Sequence, residues 1–227
     1  MKIRAALFDL DGTLAYTLED IAEAMNRVLA ERRYPVLPVE EFGKLVSEGL
    51  LALITRALPP QGRDLNTIAA CTKEYDAEYA RQLGLRARVY PGIQEALEGL
   101  AARGIKRAVL SNSQDALVRR LVSRLFPVGT FELVRGAQDN VPPKPDPRGA
   151  LAIAADLEVR PEEVLYLGDS GVDMQTAAGA AMFPVGVLWG YRFREELLAG
   201  GAKALVERPQ EILDLLEGTV VGTTSTG

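Results

Sequence analysis

From Tyr90 onward the sequence alternates between helical and extended patterns joined by only a few residues, and this rhythm restricts the fold more than any other feature. A helix is predicted over Ile93–Ala102 and stopped at Gly104, then a strand over Lys106–Leu110 and a helix over Asp115–Leu125. Next come a strand at Phe131–Val134, a helix over Pro147–Asp156, a strand at Val164–Leu167 and a helix over Val172–Ala180. A strand at Phe183–Leu188 and a final helix over Pro209–Leu216 complete the series. Alternation of this kind predicts a doubly wound parallel sheet with helices on both faces. The first segment, Ile3–Leu10, is a short apolar run ending in Asp-Gly, which suits a buried strand of the same sheet.

Between that strand and Tyr90 the pattern is all helix and turn. Ile21, Met25, Val28 and Leu29 recur at helical spacing within Leu18–Arg32, and Pro35 and Pro38 end that helix. Shorter helical stretches follow at Glu40–Val46 and Leu50–Leu58, then Pro59-Pro60-Gln61-Gly62 breaks the chain. Asp64 is an expected N-cap for a helix running to Gln82, with Gly84 as its stop. The expected organisation is an α/β core of residues 1–14 and 88–217 and a helical insert of residues 15–87. The Gly/Thr/Ser-rich tail of residues 218–227 is expected to fray. If the insert leaves and re-enters the core near Leu14 and Val89, the paired connections form a hinge suited to a lid.

Composition removes whole classes of chemistry. The 227 residues include no histidine, which excludes Ser-His-Asp and Cys-His nucleophilic systems, His-ligated zinc and an imidazole base. The net charge of -5 and scattered Lys/Arg give no footprint for nucleic acid. Cys71 is the single cysteine, so no internal disulfide can form, in keeping with a reducing cytoplasm. Asp9 and Asp11 interrupt the N-terminal apolar run, so it does not read as a signal peptide, and no stretch approaches the roughly 18 apolar residues of a membrane span.

If the chain is an enzyme, carboxylates, lysine, hydroxyls or a borrowed metal must do the chemistry. Asp9 and Asp11 stand two apart at the end of the first strand, so in an extended segment their carboxylates share a face. Like charges this close call for a cation or a proton, which suits a nucleophile beside an acid/base; alternatively Asp-Gly simply makes a turn. The strand at Val164–Leu167 delivers Asp169, with Asp173 one helical turn on; these could equally be an N-cap and an answer to the helix dipole. Together the four aspartates would form an all-oxygen donor set of the kind Mg²⁺ prefers. Ser111, ahead of Asn112 and a helix, could hold an anion or merely cap that helix. Lys144 lies among Pro142, Pro143, Pro145 and Pro147, a stiff setting for an ammonium, although a solvated loop lysine reads the same way.

The ordered set Asp9-Leu10-Asp11-Gly12-Thr13, Ser111-Asn112, Lys144-Pro145 and Gly168-Asp169-Ser170-Gly171-Val172-Asp173 resembles the haloacid dehalogenase superfamily across nearly the whole chain. The helical insert resembles that superfamily's α-helical cap, and the tract Pro184–Tyr191 is similar to phosphoglycolate phosphatases. The resemblance implies an Mg²⁺-dependent phosphomonoester hydrolase acting on a small phosphorylated metabolite, with phosphoglycolate the first candidate. Asp9 is implied as nucleophile and Asp11 as acid/base. Asp9, the Asp11 backbone carbonyl and Asp169 are implied as metal ligands, with Asp173 acting directly or through water. Ser111 and Lys144 are implied at the phosphoryl oxygens, with Thr13 and Asn112 beside them. Lys44, Ser47 and Glu48 fall in a stretch, Phe42–Leu50, that resembles the family's substrate-facing segment. Ala15-Tyr16-Thr17 departs from the Val-Asp-Ser of many relatives at the substrate entrance. A homodimer is left open.

Alternatives are other chemistries of the same superfamily or a phosphate- and Mg²⁺-binding module without turnover. Asp11 argues against dehalogenation. The absent histidine argues against the sugar-phosphate mutases, and Lys44 and Lys73 are the only insert lysines for a phosphonatase Schiff base. The module reading lacks its sequence mark, because Asp9 and Asp11 are both present. No P-loop or dinucleotide fingerprint appears.

Overall fold

The computed structural model of the chain describes residues 2–217. The tail expected to fray lies outside these residues. Strand β1 (Ala5–Phe8) is followed by β2 (Ala15–Tyr16) and helices α1 (Leu18–Glu31), α2 (Val39–Phe42), α3 (Leu50–Ala57) and α4 (Leu65–Gln82). The chain returns through β3 (Arg88–Val89) to α5 (Ile93–Ala102), β4 (Lys106–Gln114), α6 (Asp115–Leu125), β5 (Leu133–Ala137) and α7 (Arg148–Asp156). It ends with β6 (Val164–Gly168), α8 (Gly171–Gly179), β7 (Phe183–Val187), α9 (Arg194–Ala199), β8 (Ala204–Val206) and α10 (Glu211–Asp214).

Six strands form one parallel sheet in the order β5-β4-β1-β6-β7-β8. The third, second and first of these strands in the chain lie beside the fourth, fifth and sixth, which is the doubly wound order. β1 therefore sits at the point where the winding reverses, and ligands bind outside the carboxyl ends of the strands there. Its side chains alternate between two cores. Ala6 and Phe8 join the cluster containing Leu97 and Leu100 of α5, whereas Ala5 and Leu7 face Ala150 and Ile153 of α7. All four are buried, as a central parallel strand requires.

The insert packs onto the same body: Met25, Leu29, Phe42, Ile54 and Leu58 belong to the cluster that holds Phe8 and Leu10. A short antiparallel ribbon stands where the pattern showed only helix and turn, with Ala15 opposite Val89 and Tyr16 opposite Arg88. Two residues per strand carry no periodicity, which is why this element is silent in the sequence. The same holds for the three-residue edge strand β8. Both connections cross side by side, and Tyr90 N–H donates to the Leu14 carbonyl at 3.2 Å. β4 continues four residues past its expected end at Leu110, with a register shift against β5. Among the described residues no helix is long and apolar enough to cross a membrane.

Asp20 closes the insert on itself. Its buried carboxylate accepts from Gly84 N–H at 2.9 Å, Arg86 N–H at 3.0 Å and Ala87 N–H at 3.2 Å, tying the chain after α4 to the first turn of α1. Gly84 takes φ +72°, the left-handed stop that the sequence predicts. Replacing Asp20 with Ala strands three backbone donors. The expected loss is about 3 kcal/mol of unfolding free energy, read as a fall in Tm of roughly 6–12 °C for a chain of this size. An unchanged Tm removes Asp20 from this role.

Candidate active site

Three chain segments meet at the carboxyl end of β1. Beyond Phe8 the chain soon turns: the Leu10 carbonyl accepts from Leu14 N–H at 3.1 Å and Ala15 N–H at 3.0 Å, so Asp9 stands just before a turn and Asp11 within it. Both line one cavity, yet their carboxylates have different surroundings. Asp9 Oδ1 accepts from Lys144 Nζ at 2.7 Å. Asp11 is held by hydroxyls alone: Thr17 Oγ1 donates to its Oδ1 at 2.7 Å, and Ser113 and Ser111 donate to its Oδ2 at 3.1 and 3.3 Å.

β6 delivers the second acidic pair. Ser170 caps α8, and Asp173 in the first turn completes a capping box in which its Oδ2 accepts from Ser170 N–H at 3.2 Å and Ser170 Oγ at 2.5 Å. The other oxygen, Oδ1, takes Lys144 Nζ at 2.7 Å and the Tyr166 hydroxyl at 3.4 Å. Ser170, not Asp169, is the N-cap of α8, so the N-cap reading of Asp169 does not hold, whereas Asp173 is both the first-turn acid of that helix and a partner of Lys144. Asp169 Oδ2 accepts from Tyr191 N–H at 2.7 Å, while its Oδ1 is buried with no hydrogen-bond partner. Backbone packs tightly around this carboxylate. A Cβ on Gly12, which has φ +92°, or on Gly190 would collide with Asp169.

Lys144 is buried, and its three donors are engaged by Asp9, Asp173 and the Leu110 carbonyl, the last at 3.2 Å. Asn112 places the lysine from below. Its Oδ1 accepts from Lys144 N–H at 2.8 Å, and its Nδ2 donates to the carbonyls of Lys144 and Ser47, both at 3.0 Å. Ser111 lies within β4 and not at the start of α6, so the helix-cap reading of Ser111 does not hold.

Asp9, Asp169 and Asp173 each offer an oxygen within 4.8 Å of the others, all buried. The Asp11 side chain is not in that group, so three aspartate side chains, not four, face a common centre. Burial works against the ammonium of Lys144, but Asp173 and Asp9 raise its pKa well above the usual value and keep it charged. Burial raises Asp9 well above the ordinary carboxylate value, Lys144 opposes this, and Asp173, Asp169 and Asp11 add to it. Burial, and next Asp173, push Asp169 up to about 7. One ammonium does not offset this much negative charge. The unpartnered Asp169 Oδ1 and the all-oxygen set together fit a hard divalent cation.

The remaining expected residues divide. Ser47 and Asn112 line the cavity. Thr13 is fully buried behind it, with its Oγ1 unpartnered and its carbonyl accepting from Trp189 Nε1 at 2.9 Å. Lys44 and Glu48 are not brought in: Lys44 pairs with Glu41 at 3.3 Å and Glu48 with Arg56 at 2.6 Å, all at the surface. The physical reason is that α2 ends at Phe42 and the chain turns through the next residues, leaving Val46, Ser47, Gly49 and Leu50 toward the cavity. Ser113 and Thr17 are new here. Ser113 was legible in principle, because it follows Ser111 at strand spacing and so shares its direction.

The family model described as haloacid dehalogenase-like hydrolase matches residues 3–181. The chain belongs to that family. A Rhodospirillum rubrum protein named phosphoglycolate phosphatase is 33% identical over 210 residues, covering 90% of this chain and 87% of its own. A Nitrosospira multiformis protein of the same name is 29% identical over 220 residues, covering 96% and 97%. A solved structure from Lactobacillus delbrueckii subsp. bulgaricus, provisionally named a phosphoglycolate phosphatase, superposes with a TM-score of 0.89 at 26% identity, covering 95% of this chain and 99% of that one. CbbY from Rhodobacter sphaeroides, solved in complex with phosphate, gives a TM-score of 0.76 at 25% identity, covering 92% and 96%.

The raised Asp169 has a consequence for stability. Its folded pKa of about 7 exceeds the ordinary 3.8, so between those values the folded state holds a proton that the unfolded state has lost. In metal-free protein this contribution is therefore present at low pH and lost as pH rises to about 7. Tm measured across this window should fall more steeply for the wild type than for Asp169→Asn. Mg²⁺ should restore the wild-type Tm at the alkaline end. Parallel profiles without metal contradict the assignment.

Proposed function

We propose that this chain hydrolyses small phosphomonoesters with Mg²⁺, through a phosphoryl intermediate on Asp9. One observation carries the reading: two aspartates two residues apart share a cavity but have opposite settings. Asp9 sits on an ammonium within a carboxylate cluster, while Asp11 is held by three hydroxyls outside it. Environments that separate two like groups in this way assign them separate roles.

The residues then divide the work. The Asp9 carboxylate attacks phosphorus, and the bond to the leaving-group oxygen breaks as Asp11 gives its proton to that oxygen. Asp11 next takes a proton from water, whose oxygen attacks the same phosphorus. Inorganic phosphate departs and the Asp9 carboxylate is regenerated. Lys144 and Ser111 offset charge at the phosphoryl oxygens, and Lys144 keeps Asp9 placed for attack. Asn112 fixes Lys144 through its backbone. Asp9, the Asp11 carbonyl and Asp169 would hold Mg²⁺, with Asp173 acting through water because both its oxygens are already bonded within the protein. The bound ion supplies charge neutralisation for the transferring phosphoryl group.

The insert, residues 15–87, serves as the cap over a core of residues 1–14 and 88–217. It carries the wall that faces the leaving group and limits water during the first step. The relatives' name makes phosphoglycolate the natural first ester for comparison.

Purified protein with Mg²⁺ is expected to release phosphate from an aryl phosphate. Asp9→Asn should lower kcat by about 10³-fold or more while the circular dichroism spectrum and Tm remain those of a folded chain. Retained turnover in that variant removes Asp9 from the nucleophile role, and no metal-dependent release by the wild type overturns the reading.

A further inference from the structure

The part of the cavity wall contributed by the insert has an uneven chemistry. Leu50, Leu53, Tyr75 and Tyr79 supply apolar and aromatic surface. One carboxylate, Asp76, stands among them on α4. Gln114 Nε2, at the end of β4, donates to its Oδ2 at 2.6 Å, but its Oδ1 is buried with no partner. Asp76 is half-buried as a residue, and a shielded carboxylate oxygen of this kind favours a donor brought by a bound molecule.

The cavity also has no free cation. Among the described residues that line it, Lys144 is the one basic group, and its donors are engaged by Asp9, Asp173 and Leu110. Lys44 points out to Glu41. Arg192 reaches the insert but is occupied by the carbonyls of Gly43, Lys44 and Val46 and by Glu196 at 3.3 Å. A carboxylate on the substrate would therefore meet Asp76 as a like charge, with no basic side chain to offset either. The cavity is small, about 60 Å³ when counted as room for the centre of a water-sized group.

We propose that the leaving group is a small alcohol bearing a hydrogen-bond donor, a hydroxyl or an ammonium, that is read by Asp76, and that carboxylate-bearing esters are poor substrates. This rests on the phosphatase reading above and narrows it. Asp76 acts as a specificity residue: its orphaned oxygen accepts the substrate's donor, while the tyrosines and leucines enclose the carbon skeleton. A buried polar group matched to a substrate donor discriminates strongly against analogues that lack it.

The test uses the full chain with Mg²⁺ and four esters: phosphoglycolate, glycerol phosphate, phosphoethanolamine and a generic aryl phosphate. kcat/KM for glycerol phosphate or phosphoethanolamine should exceed that for phosphoglycolate by about tenfold or more. Whichever of the two leads tells a hydroxyl from an ammonium. D76N keeps the side chain's size and can still bond Gln114, and it should shrink the ratio severalfold by raising phosphoglycolate turnover and raising KM for the donor ester. Phosphoglycolate equal to or better than both donor esters, or a ratio unchanged in D76N, overturns the proposal. Turnover of the aryl phosphate alone overturns the proposal but leaves the phosphatase reading standing. No turnover of any ester by the wild type overturns both.

Discussion

The Lys144 ammonium, buried between Asp9 and Asp173 at 2.7 Å from each, is the contact on which the rest of the site depends. It joins the end of β1 to the first turn of α8 and reaches back to the Leu110 carbonyl of β4, so the three central strands end on a single charge. Neutralising it would leave buried carboxylates uncompensated, a change that in such settings costs about 3–5 kcal/mol. The arrangement is weak as a stability device but strong as a positioning device. It fixes Asp9 at the switch point of the sheet and leaves enough negative charge uncompensated to attract a divalent cation.

A second set of contacts ties this centre to the insert. The segment after β7 places Trp189 on the Thr13 carbonyl and the Tyr191 N–H on Asp169, and its Tyr191 hydroxyl accepts from Thr17 N–H at 2.9 Å. Thr17 in turn holds Asp11. Arg192 then reaches the carbonyls of the turn that leads to Ser47. Asn112 approaches the same turn from β4. Asp169, Asp11 and the insert are thus linked through short contacts that run through Tyr191, Thr17 and Arg192.

The alternation of helix and strand was legible because parallel strands buried on both faces read as short apolar runs between amphipathic helices. The site was legible where a strand end set direction, as at Asp9 and Asp169, and where prolines fenced Lys144. It was not legible where tertiary packing decides. Asp9 and Asp11 would share a face only on an extended backbone; the turn at Leu10 separates their partners while leaving them in one cavity. Lys44 and Glu48 read like substrate-facing residues, but the chain turns after Phe42 and carries them to the surface. Asp76 is one acidic residue on a polar helix; only the fold reveals that it faces the cavity beside two tyrosines.

Trapping a phosphoryl intermediate decides whether Asp9 is the nucleophile. Enzyme and Mg²⁺ mixed with a phosphate ester labelled in the phosphoryl group, quenched in acid during turnover and digested, should yield label on the peptide containing Asp9. That label should be released by hydroxylamine or alkali, as expected for an acyl phosphate. Stable label on a hydroxyl such as Ser111 or Ser113, or rapid turnover with no labelled peptide, contradicts a mechanism built on the Asp9 carboxylate.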